Sequence, residues 1–266
     1  MNVIREPAVA GQFYPGTPAE LTASVSALLA DASAAGAEAR DLRPPKALIV
    51  PHAGYIYSGP TAAAGYAQLL PWRDTYERVV LIGPCHRVPV RGLATSGADA
   101  FRTPLGDVAL DGESIAALDL PVVDSAHRYE HSLEVHLPFL QAVLGSFTLV
   151  PIVVGNTSRR AVADVLEQVW GDSETLLVIS SDLSHYLDYE HARRRDRSTC
   201  DAIEHFDAAQ IDHDDACGAT PVGGLLLAAQ RHGLEVKTLD LRNSGDTAGD
   251  KSHVVGYGAW LFTEPR

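Results

Sequence analysis

The sequence predicts an α/β fold, a sandwich in which a central, mostly parallel or mixed sheet is flanked by helices. Short apolar runs at residues 47–50, 78–83 and 176–180 have the length and composition of buried strands. Helix-like segments separate these runs, and strands that alternate with helices are typical of α/β proteins. No linker long enough to divide the chain occurs, so we expect a single domain over residues 1–266.

The first of these strands ends in a turn that carries a histidine. In the segment KALIVPHAGYIYSG, residues 46–59, the apolar run stops at Pro51, which has no amide proton to continue strand pairing. Gly54 then allows backbone conformations that other residues avoid. Pro60 suits the first turn of a helix over TAAAGYAQLL. We therefore expect His52 between the carboxyl end of a strand and a helix, the edge where open α/β sheets bind ligands.

The other two buried strands also lead to a histidine. The letters PCH follow the run at 78–83 and end at His86, and SDLSH follows the run at 176–180 and ends at His185. A single histidine after a strand is more often a loop residue or a helix cap. Three in matching positions are hard to obtain from packing alone. If the strands are parallel neighbours, these imidazoles converge with that of His52 at one rim of the sheet.

The remaining segments of the first half fit the same fold. The segment TPAELTASVSALLAD, residues 17–31, predicts a helix in which Thr17 is the N-cap and Glu20 completes a capping box. Residues 32–45 are rich in Ala, Arg and acidic residues and end in two prolines, which predicts a surface connection. Short alternating pieces separated by Gly and Pro predict a small antiparallel excursion over residues 86–111.

The second half continues the alternation. Leucines at helical spacing predict a helix over residues 129–144, with Pro138 as a kink or a start. The other predicted elements are a strand at 147–154, helices at 158–170, 191–206 and 223–232, an edge strand at 236–241 and a last strand at 254–262. The polar segment NSGDTAGDKS, residues 243–252, is either a plain hairpin loop or a cover over the site. Its charged residues are Asp246, Asp250 and Lys251.

Composition excludes two classes of partner. The chain has 21 Lys and Arg against 34 Asp and Glu, a net charge of −13, which argues against binding to a nucleic-acid backbone. The basic cluster at 193–195 lies in a helical segment rich in acids and is typical of a solvated face. No apolar run reaches the ~18 residues that span a membrane. The N-terminus lacks the apolar core of a secretory signal, so we expect a cytoplasmic protein.

The three cysteines predict neither a disulfide framework nor a zinc ribbon, because Cys85, Cys200 and Cys217 are odd in number and show no CxxC spacing. Cys217 precedes a predicted helix, whose N-terminus favours a thiolate. Asp214 and Asp215 oppose it, so the reactivity of the thiol stays open. The alternative interpretation is that Cys217 is a small buried residue with a packing role. The same two interpretations apply to Cys85, which precedes His86.

The segment EHSLEVH, residues 130–136, concentrates further titratable groups. On a helix His131 and Glu134 would share a face, while His136 would not. The spacing differs from the HExxH pattern of zinc peptidases, whose histidines are four residues apart. The alternative to a functional role is a helix N-terminus at which Glu130 and Glu134 complement the helix dipole.

Ordered motifs along the whole chain resemble the Memo family, whose bacterial members are often called AmmeMemoRadiSam system protein B. The motifs are, in order, AVAGQFYPG, PHAGYIYSG, LIGPCHRV, FRTPLGD, EHSLEVHLPFL, PIVVG, ISSDLSHY, CGATPVG and SGDTAGDKSHVVGY. The resemblance implies a fold similar to class III extradiol dioxygenases, which cleave catechol rings with non-haem Fe(II). Those enzymes hold iron with two histidines and a carboxylate.

The resemblance also implies a set of site residues. His52 and His86 match the two metal histidines, and Cys217 matches the position where Memo proteins have a cysteine in place of the dioxygenase glutamate. Around them, His131 and His185 match acid–base histidines, and Asp182 lines the same pocket. Cys85 departs from the family pattern, since relatives commonly have serine there, and a second thiol could compete for a metal or alter redox sensitivity.

Three functions are compatible with these residues. The first is an oxidoreductase that uses Fe(II), with Cu(I) or Zn as alternatives because a thiolate makes the site softer. The second is a binding or adaptor protein that keeps a catalytically vestigial pocket, as animal Memo relatives are described as signalling effectors. The third is a metal-free thiol hydrolase with Cys217 as its nucleophile. The family name implies a radical-SAM protein in the same pathway, and the small-molecule substrate is not indicated.

Overall fold

The computed structural model describes residues 3–35 and 43–265 of the chain. The helices are α1 (Pro18–Ala35), α2 (Tyr55–Tyr66), α3 (Gly112–Ala117), α4 (Asp124–Arg128), α5 (Leu137–Val143), α6 (Arg159–Gln168), α7 (Tyr189–Glu204) and α8 (Ala219–Arg231). The strands are β1 (Ile4–Arg5), β2 (Pro45–Val50), β3 (Arg78–Pro84), β4 (Leu93–Ala94), β5 (Ala100–Thr103), β6 (Gly106–Ala109), β7 (Thr148–Val154), β8 (Thr175–Ser180), β9 (His185–Leu187), β10 (Glu235–Asn243) and β11 (Val254–Thr263).

A mixed sheet forms the centre of the fold, with the strand order β10-β11-β2-β8-β3-β7-β4. Strands β2, β8, β3 and β7 are mutually parallel, whereas β11 runs antiparallel to β2 and β10 antiparallel to β11. The three strands predicted to lead to histidines are therefore parallel neighbours. Because parallel strands end at the same edge, the turns after β2, β8 and β3 lie together. The predicted α/β class with a central mixed sheet is confirmed.

The sheet is buried on both faces because successive strand side chains point in opposite directions. In β2, Leu48 and Val50 join the core under α1, α2 and α5. Ala47 and Ile49, between them, join the other core with α6, α7 and α8. All six residues of β2 and of β8 are buried, as the near-continuous apolar runs predicted.

The predicted N-cap of α1 is confirmed, whereas α2 begins earlier than predicted. Thr17 Oγ1 accepts a hydrogen bond from Glu20 N at 3.4 Å and donates one to Glu20 Oε2 at 2.6 Å. Helix α2 begins at Tyr55 and contains Pro60, where the sequence predicted its first turn. The reason is tertiary, because the Tyr55 amide donates to the carbonyl of Phe13 at 2.7 Å, which satisfies the first turn from outside the helix.

The predicted helix over residues 129–144 is wrong in its first half. A 3₁₀ turn covers Glu134–His136, and the α-helix begins only at Leu137, with Pro138 in its first turn. The buried Glu130 carboxylate accepts from the amides of the next two residues, His131 and Ser132, both at 3.0 Å, and the carbonyl of Ser132 accepts from the distant Ser180 Oγ at 2.6 Å. Those amides are thereby satisfied without a helix.

The predicted antiparallel excursion is present as the hairpin of β5 and β6, which pairs with β1 in a small second sheet. The predicted edge strand at 236–241 is β10, at one end of the main sheet. Of the predicted surface connection at 32–45, residues 36–42 lie outside the described residues. The single domain over residues 1–266 stays a prediction. Among the described helices, none has the length and apolar character to cross a membrane.

Candidate metal centre

The turns at the carboxyl edge of the sheet bring three side chains to equivalent places. His52 lies two residues after Val50, His86 two residues after Pro84 and Asp182 two residues after Ser180. Cys217 comes from a different direction, just before Gly218, the N-cap of α8. Its amide donates to the carbonyl of Asp182 at 3.2 Å, which fixes the end of α8 against the turn after β8.

Two imidazoles and the thiol have the spacing of a metal site. Cys217 Sγ lies 3.4 Å from His52 Nε2, and the ring centroids of His52 and His86 are 5.2 Å apart. The potential ligand atoms of all three residues lie within 4.8 Å of one another. Nitrogen at about 2.0–2.1 Å and sulfur at about 2.3 Å from a tetrahedral metal are about 3.5 Å apart. The three donors therefore fit one metal ion.

These donors open onto a cavity of about 740 Å³. The site residues expected from the sequence all line it: His52, His86, His131, Asp182, His185 and Cys217. Arg87, Arg195 and His213 also stand in its wall, together with Tyr186. The Tyr186 side chain is 74% exposed although its backbone has a φ of 59°, which is strained for a bulky residue. The cavity is thus rich in nitrogen donors and open to solvent.

His52 is held from both its backbone and its ring. Its amide donates to Asp182 Oδ1 at 2.7 Å, and its Nδ1 lies 2.6 Å from Ser180 Oγ. Burial lowers the pKa of His52 well below its usual value, and the nearby His86 and His131 add to the effect. The ring is therefore neutral, as a metal ligand requires.

His86 is oriented by Glu130, which the sequence did not identify as a site residue. Glu130 Oε1 lies 2.9 Å from His86 Nδ1, and Oε2 accepts from the His86 amide at 2.5 Å. Burial opposes ionisation of Glu130, but the hydrogen bonds from His86 and from neighbouring amides lower its pKa to about 2. The carboxylate thus fixes the Nδ1 proton of His86 and leaves Nε2 available to a metal.

His131 packs on His86 rather than bonding to it. Their rings stack at 4.9 Å between centroids, and Phe13 covers His131 at a centroid distance of 4.9 Å. Burial lowers the pKa of His131. Its Nδ1 is buried 3.4 Å from Glu130 Oε1 and makes no hydrogen bond to a described residue. His131 is therefore an uncharged ring beside the candidate metal position.

Asp182 and His185 flank the opposite side of the site. Asp182 Oδ2 is 3.9 Å from His52 Nε2, and burial raises the pKa of this carboxyl despite the hydrogen bond from His52. His185 Nδ1 lies 2.8 Å from the carbonyl of Leu183, an acceptor, so Nδ1 carries the proton. In the neutral ring, Nε2 of His185 is then free to accept a proton.

The alternative role for Glu130 and Glu134 as partners of a helix dipole is wrong. Only a single 3₁₀ turn begins at Glu134 and no α-helix begins at either residue, while Glu134 is fully buried in an ion pair with Arg5. Glu134 Oε1 also accepts from Tyr14 Oη at 2.5 Å. These contacts attach the N-terminal segment, including Phe13 over the site, to the core. His136 is not among the described residues that line the cavity.

The polar loop after β10 packs against α7 rather than over the site. Tyr189 Oη donates to Asp246 Oδ1 at 2.5 Å, and Lys251 Nζ lies 4.3 Å from the centre of the same ring. The charged residues of the loop, Asp246, Asp250 and Lys251, do not line the cavity. These contacts favour the hairpin-loop interpretation.

The two other cysteines lie outside the cavity lining. Cys85 Sγ donates to the carbonyl of Val88 at 3.0 Å, and burial raises the pKa of this thiol. Cys200 is buried on α7, 3.3 Å from Thr238 Oγ1. Cys85 precedes the candidate ligand His86 in sequence, but its thiol is therefore turned away from the candidate ligand atoms.

Sequence reasoning missed Glu130 and Ser180 as well as the cavity wall around Arg87 and His213. The partners of Glu130 and Ser180 lie 44 and 128 residues away, so no local spacing could identify them. The serine had one usable signal, since it is the last residue of a buried strand at the edge where ligands bind.

A solved structure of the uncharacterized protein JW3007 from Escherichia coli K12 is similar in fold, with a TM-score of 0.47 and 12% identity. The alignment covers 80% of this chain and 98% of that chain. At this identity the likeness supports no inference about activity.

Sequence relatives cover almost the whole chain. A MEMO1 family protein of Aquifex aeolicus is 39% identical, over 97% of this chain and 99% of the relative. MEMO1 family protein MK0963 of Methanopyrus kandleri is 38% identical, over 97% and 98% of the two chains. A MEMO1 family protein of Nitrosopumilus maritimus is 32% identical, over 98% of this chain and all of the relative. The family model described as Memo-like protein matches residues 5–261. The chain therefore belongs to the Memo family.

Proposed function

We propose that this protein binds one metal ion through His52, His86 and Cys217 and acts as a metal-dependent oxidoreductase. The observation that carries the proposal is the convergence of two imidazoles and a thiol, whose ligand atoms all lie within 4.8 Å. Both histidines are already restrained through their Nδ1 atoms. Such restraint is typical of metal-binding histidines.

Fe(II) is the first choice of metal, with Zn and Cu(I) as alternatives. A thiolate beside two imidazoles is a soft donor set, which disfavours Mg²⁺ and Ca²⁺. Burial raises the pKa of Cys217, and the Asp182 carboxylate adds to this effect. The thiol is therefore protonated at neutral pH until a cation offsets the negative charge, so metal binding releases its proton.

A bound Fe(II) would supply electron transfer between substrate and dioxygen. The chain's own groups would orient the substrate and move protons. His185 is suited to accept a proton at Nε2 because its Nδ1 proton is committed to Leu183. Asp182, whose pKa is raised by burial, is suited to share a proton beside it. His131 is a neutral ring against which a substrate can pack.

The rival functions have less support. A metal-free thiol hydrolase needs an accessible thiolate, whereas burial raises the pKa of Cys217. An adaptor protein would not need both ligand histidines to be oriented through buried partners. A radical-SAM protein of the same pathway, implied by the family name, belongs to this proposal as a source or consumer of the substrate.

Metal analysis tests the binding step directly. Protein purified without oxygen and loaded with Fe(II) is expected to hold about one equivalent of iron per chain. His52→Ala, His86→Ala and Cys217→Ser should each lose it. His205→Ala is the matched control, because this exposed histidine at the end of α7 bonds to the carbonyl of Asp201 and does not line the cavity. Iron well below one equivalent in the parent after loading would refute the proposal.

Dioxygen uptake tests the redox step. The loaded protein should consume dioxygen with at least one member of a panel of small reduced aromatic substrates, and His185→Ala should consume it more slowly. Stoichiometric iron without uptake from any substrate would contradict the oxidoreductase. If the cellular role then survived His52→Ala and His86→Ala, the adaptor function would replace it.

A further inference from the structure

A buried chain of polar groups runs from His52 into the protein core. His52 Nδ1 lies 2.6 Å from Ser180 Oγ, and His136 Nε2 lies 2.8 Å from the same oxygen. On its other side, His136 Nδ1 lies 2.9 Å from Tyr66 Oη. All four side chains are at most 2% exposed. We call Ser180, His136 and Tyr66 the Ser180 relay.

The protons of this chain can be assigned by counting donors. Ser180 Oγ lies 2.6 Å from the carbonyl of Ser132, which can only accept a hydrogen bond. The single hydroxyl proton of Ser180 is used there, so both imidazoles must donate to the two lone pairs of Ser180 Oγ. His136, which contacts no carboxylate among the described residues, is a neutral ring with its proton on Nε2. Its Nδ1 therefore accepts from the hydroxyl of Tyr66.

The same count fixes the proton of His52 on Nδ1 and leaves the lone pair on Nε2. Nε2 is the atom that lies 3.4 Å from Cys217 Sγ. Free neutral imidazole has both tautomers available, so a ring without the relay would spend part of its time with a proton facing the thiol. The hydrogen bonds of the relay hold His52 in the Nδ1–H tautomer in the metal-free protein.

We propose that the Ser180 relay positions His52 for metal binding by fixing its Nδ1–H tautomer. The carbonyl of Ser132 sets the direction by taking the Ser180 proton, and Tyr66 supports it by donating to His136 Nδ1, which keeps the His136 proton on Nε2. The inference rests on the proposed metal site, and its residues act through His52 rather than on a substrate. The two ligand rings are then held by different chemistry. An anionic carboxylate, Glu130, holds His86, whereas a neutral chain that ends at a phenol holds His52.

The tautomer can be measured in the metal-free protein, independently of the proposed function. Two-bond ¹⁵N–¹H correlation spectra of histidine-labelled protein should show a protonated Nδ1 in His52 and a protonated Nε2 in His136. In Ser180→Ala the Nδ1 proton of His52 has no acceptor, so the proton should move to Nε2, toward Cys217. His86 should keep its Nδ1 proton in both proteins and serves as the internal control. A parent His52 protonated on Nε2 would overturn the inference.

Metal affinity tests the consequence with a matched pair of tyrosines. Tyr66→Phe and Tyr76→Phe each remove one buried phenol hydroxyl, but Tyr76 donates to the carbonyl of Pro45 and not to the relay. In competition with a chelator for Zn²⁺, Ser180→Ala should weaken binding roughly 10–100-fold, as for other partners of metal ligands. Tyr66→Phe should weaken it by a smaller factor, about three- to tenfold. Tyr76→Phe should bind as the parent does.

The outcomes separate the two proposals. Equal Zn²⁺ affinity for Tyr66→Phe, Tyr76→Phe and the parent would overturn the relay while leaving the metal site in place. A parent that binds neither Zn²⁺ nor Fe(II) would overturn the metal site, and the tautomer spectra would still decide how His52 is held. If Ser180→Ala does not fold, the tyrosine pair and the parent spectrum decide the question.

Discussion

At the scale of single residues, the candidate centre depends on the proton of the Cys217 thiol. Burial raises the pKa of this thiol, and the Asp182 carboxylate raises it further. The metal-free site therefore holds a protonated thiol 3.4 Å from a neutral imidazole nitrogen. Because the proton must leave when a cation binds, metal affinity should rise with pH across the neutral range.

Substitution of Cys217 separates a ligand from a packing residue. Cys217→Ser should weaken Fe(II) or Zn²⁺ binding by more than about 100-fold, beyond the usual loss for an outer partner, because a neutral hydroxyl replaces a thiolate. Cys217→Glu should restore part of the affinity, because a carboxylate is also a metal ligand. Calorimetric titration under nitrogen measures both variants. Unchanged affinity in Cys217→Ser would make the thiol a packing residue.

The two other cavity histidines should behave differently from the ligands. His131→Ala and His185→Ala are expected to keep metal affinity within about threefold of the parent while turnover falls. The fall should be about 100-fold or more in His185→Ala, as for a lost acid–base group, and should follow in His131→Ala from loss of the ring against which a substrate packs. The reason is that His131 stacks on His86 and that His185 is held at Nδ1 by Leu183. Iron analysis beside the turnover assay checks this division. Loss of stoichiometric iron in His185→Ala would make His185 a ligand.

At the scale of elements, a buried lysine joins β2 to the turn between α6 and β8, at the sheet edge opposite the site. Lys46 Nζ donates to the carbonyls of Trp170 at 2.6 Å, Asp172 at 2.8 Å and Thr175 at 3.1 Å. Burial lowers its pKa to about 8, so it remains charged at neutral pH. The ammonium group supplies a buried donor to the carbonyls of this turn, where, among the described residues, only Asp172 also accepts from an amide outside the strands, that of Thr175 at 3.3 Å.

Replacing this lysine should cost stability and spare the site. Lys46→Met keeps the apolar stem but removes the ammonium donor from these carbonyls, so we expect the free energy of unfolding to fall by about 2–4 kcal/mol. Urea unfolding of the metal-free protein measures the change. Arg160→Met at an exposed position of α6 is the control and should change stability by less than about 0.5 kcal/mol. The Zn²⁺ affinity of Lys46→Met should match that of the parent. A weaker affinity would contradict the conclusion that the edge with Lys46 is independent of the edge with the candidate metal centre.

At the scale of the whole molecule, two buried carboxyl groups, those of Glu130 and Asp196, should make the free energy of unfolding depend on pH in opposite directions. The pKa of Glu130 is lowered to about 2 in the fold, from an ordinary 4.5. Between these values the unfolded chain binds more protons, so the contribution of Glu130 is complete above 4.5 and is lost as the pH falls toward about 2. Burial raises the pKa of Asp196 from 3.8 to about 6, so its contribution decreases as the pH rises through that window.

Replacing each carboxyl group by the matching amide tests both directions of the pH dependence. Glu130→Gln should remove part of the acid-induced loss, up to about 3 kcal/mol between pH 4.5 and 2, since one pKa unit corresponds to about 1.4 kcal/mol. Asp196→Asn keeps an oxygen for the Ser184 amide and should gain stability on the parent as the pH rises from 3.8 to 6. Urea unfolding at a series of pH values measures the slopes. Parallel curves for parent and variants would contradict these assignments.

The sequence by itself determined the α/β class, the buried strands and the histidines that follow them, while the parallel pairing that brings these histidines to one edge was a condition of the prediction. These features depend on local causes, since apolar runs form buried strands and Pro51 ends the first of them. The turns after β2 and β3 therefore present His52 and His86 at equivalent offsets. The family motifs added the residues expected around them, including Cys217, which lies 165 residues from His52 in the chain.

Only the tertiary structure decided which groups hold those residues. Ser180 bonds to His52 because the sheet order puts β8 beside β2, and Glu130 reaches His86 from the segment between α4 and α5. The segment around Glu130 was predicted as a helix, yet the Glu130 carboxylate satisfies the next two amides, and Arg5 and Ser180 donate to the carbonyls of Glu130 and Ser132. Hydrogen-bond partners that are distant in the chain leave no periodicity in sequence. Tertiary packing at the sheet edge, rather than any local pattern, therefore fixes the protonation of the candidate ligands.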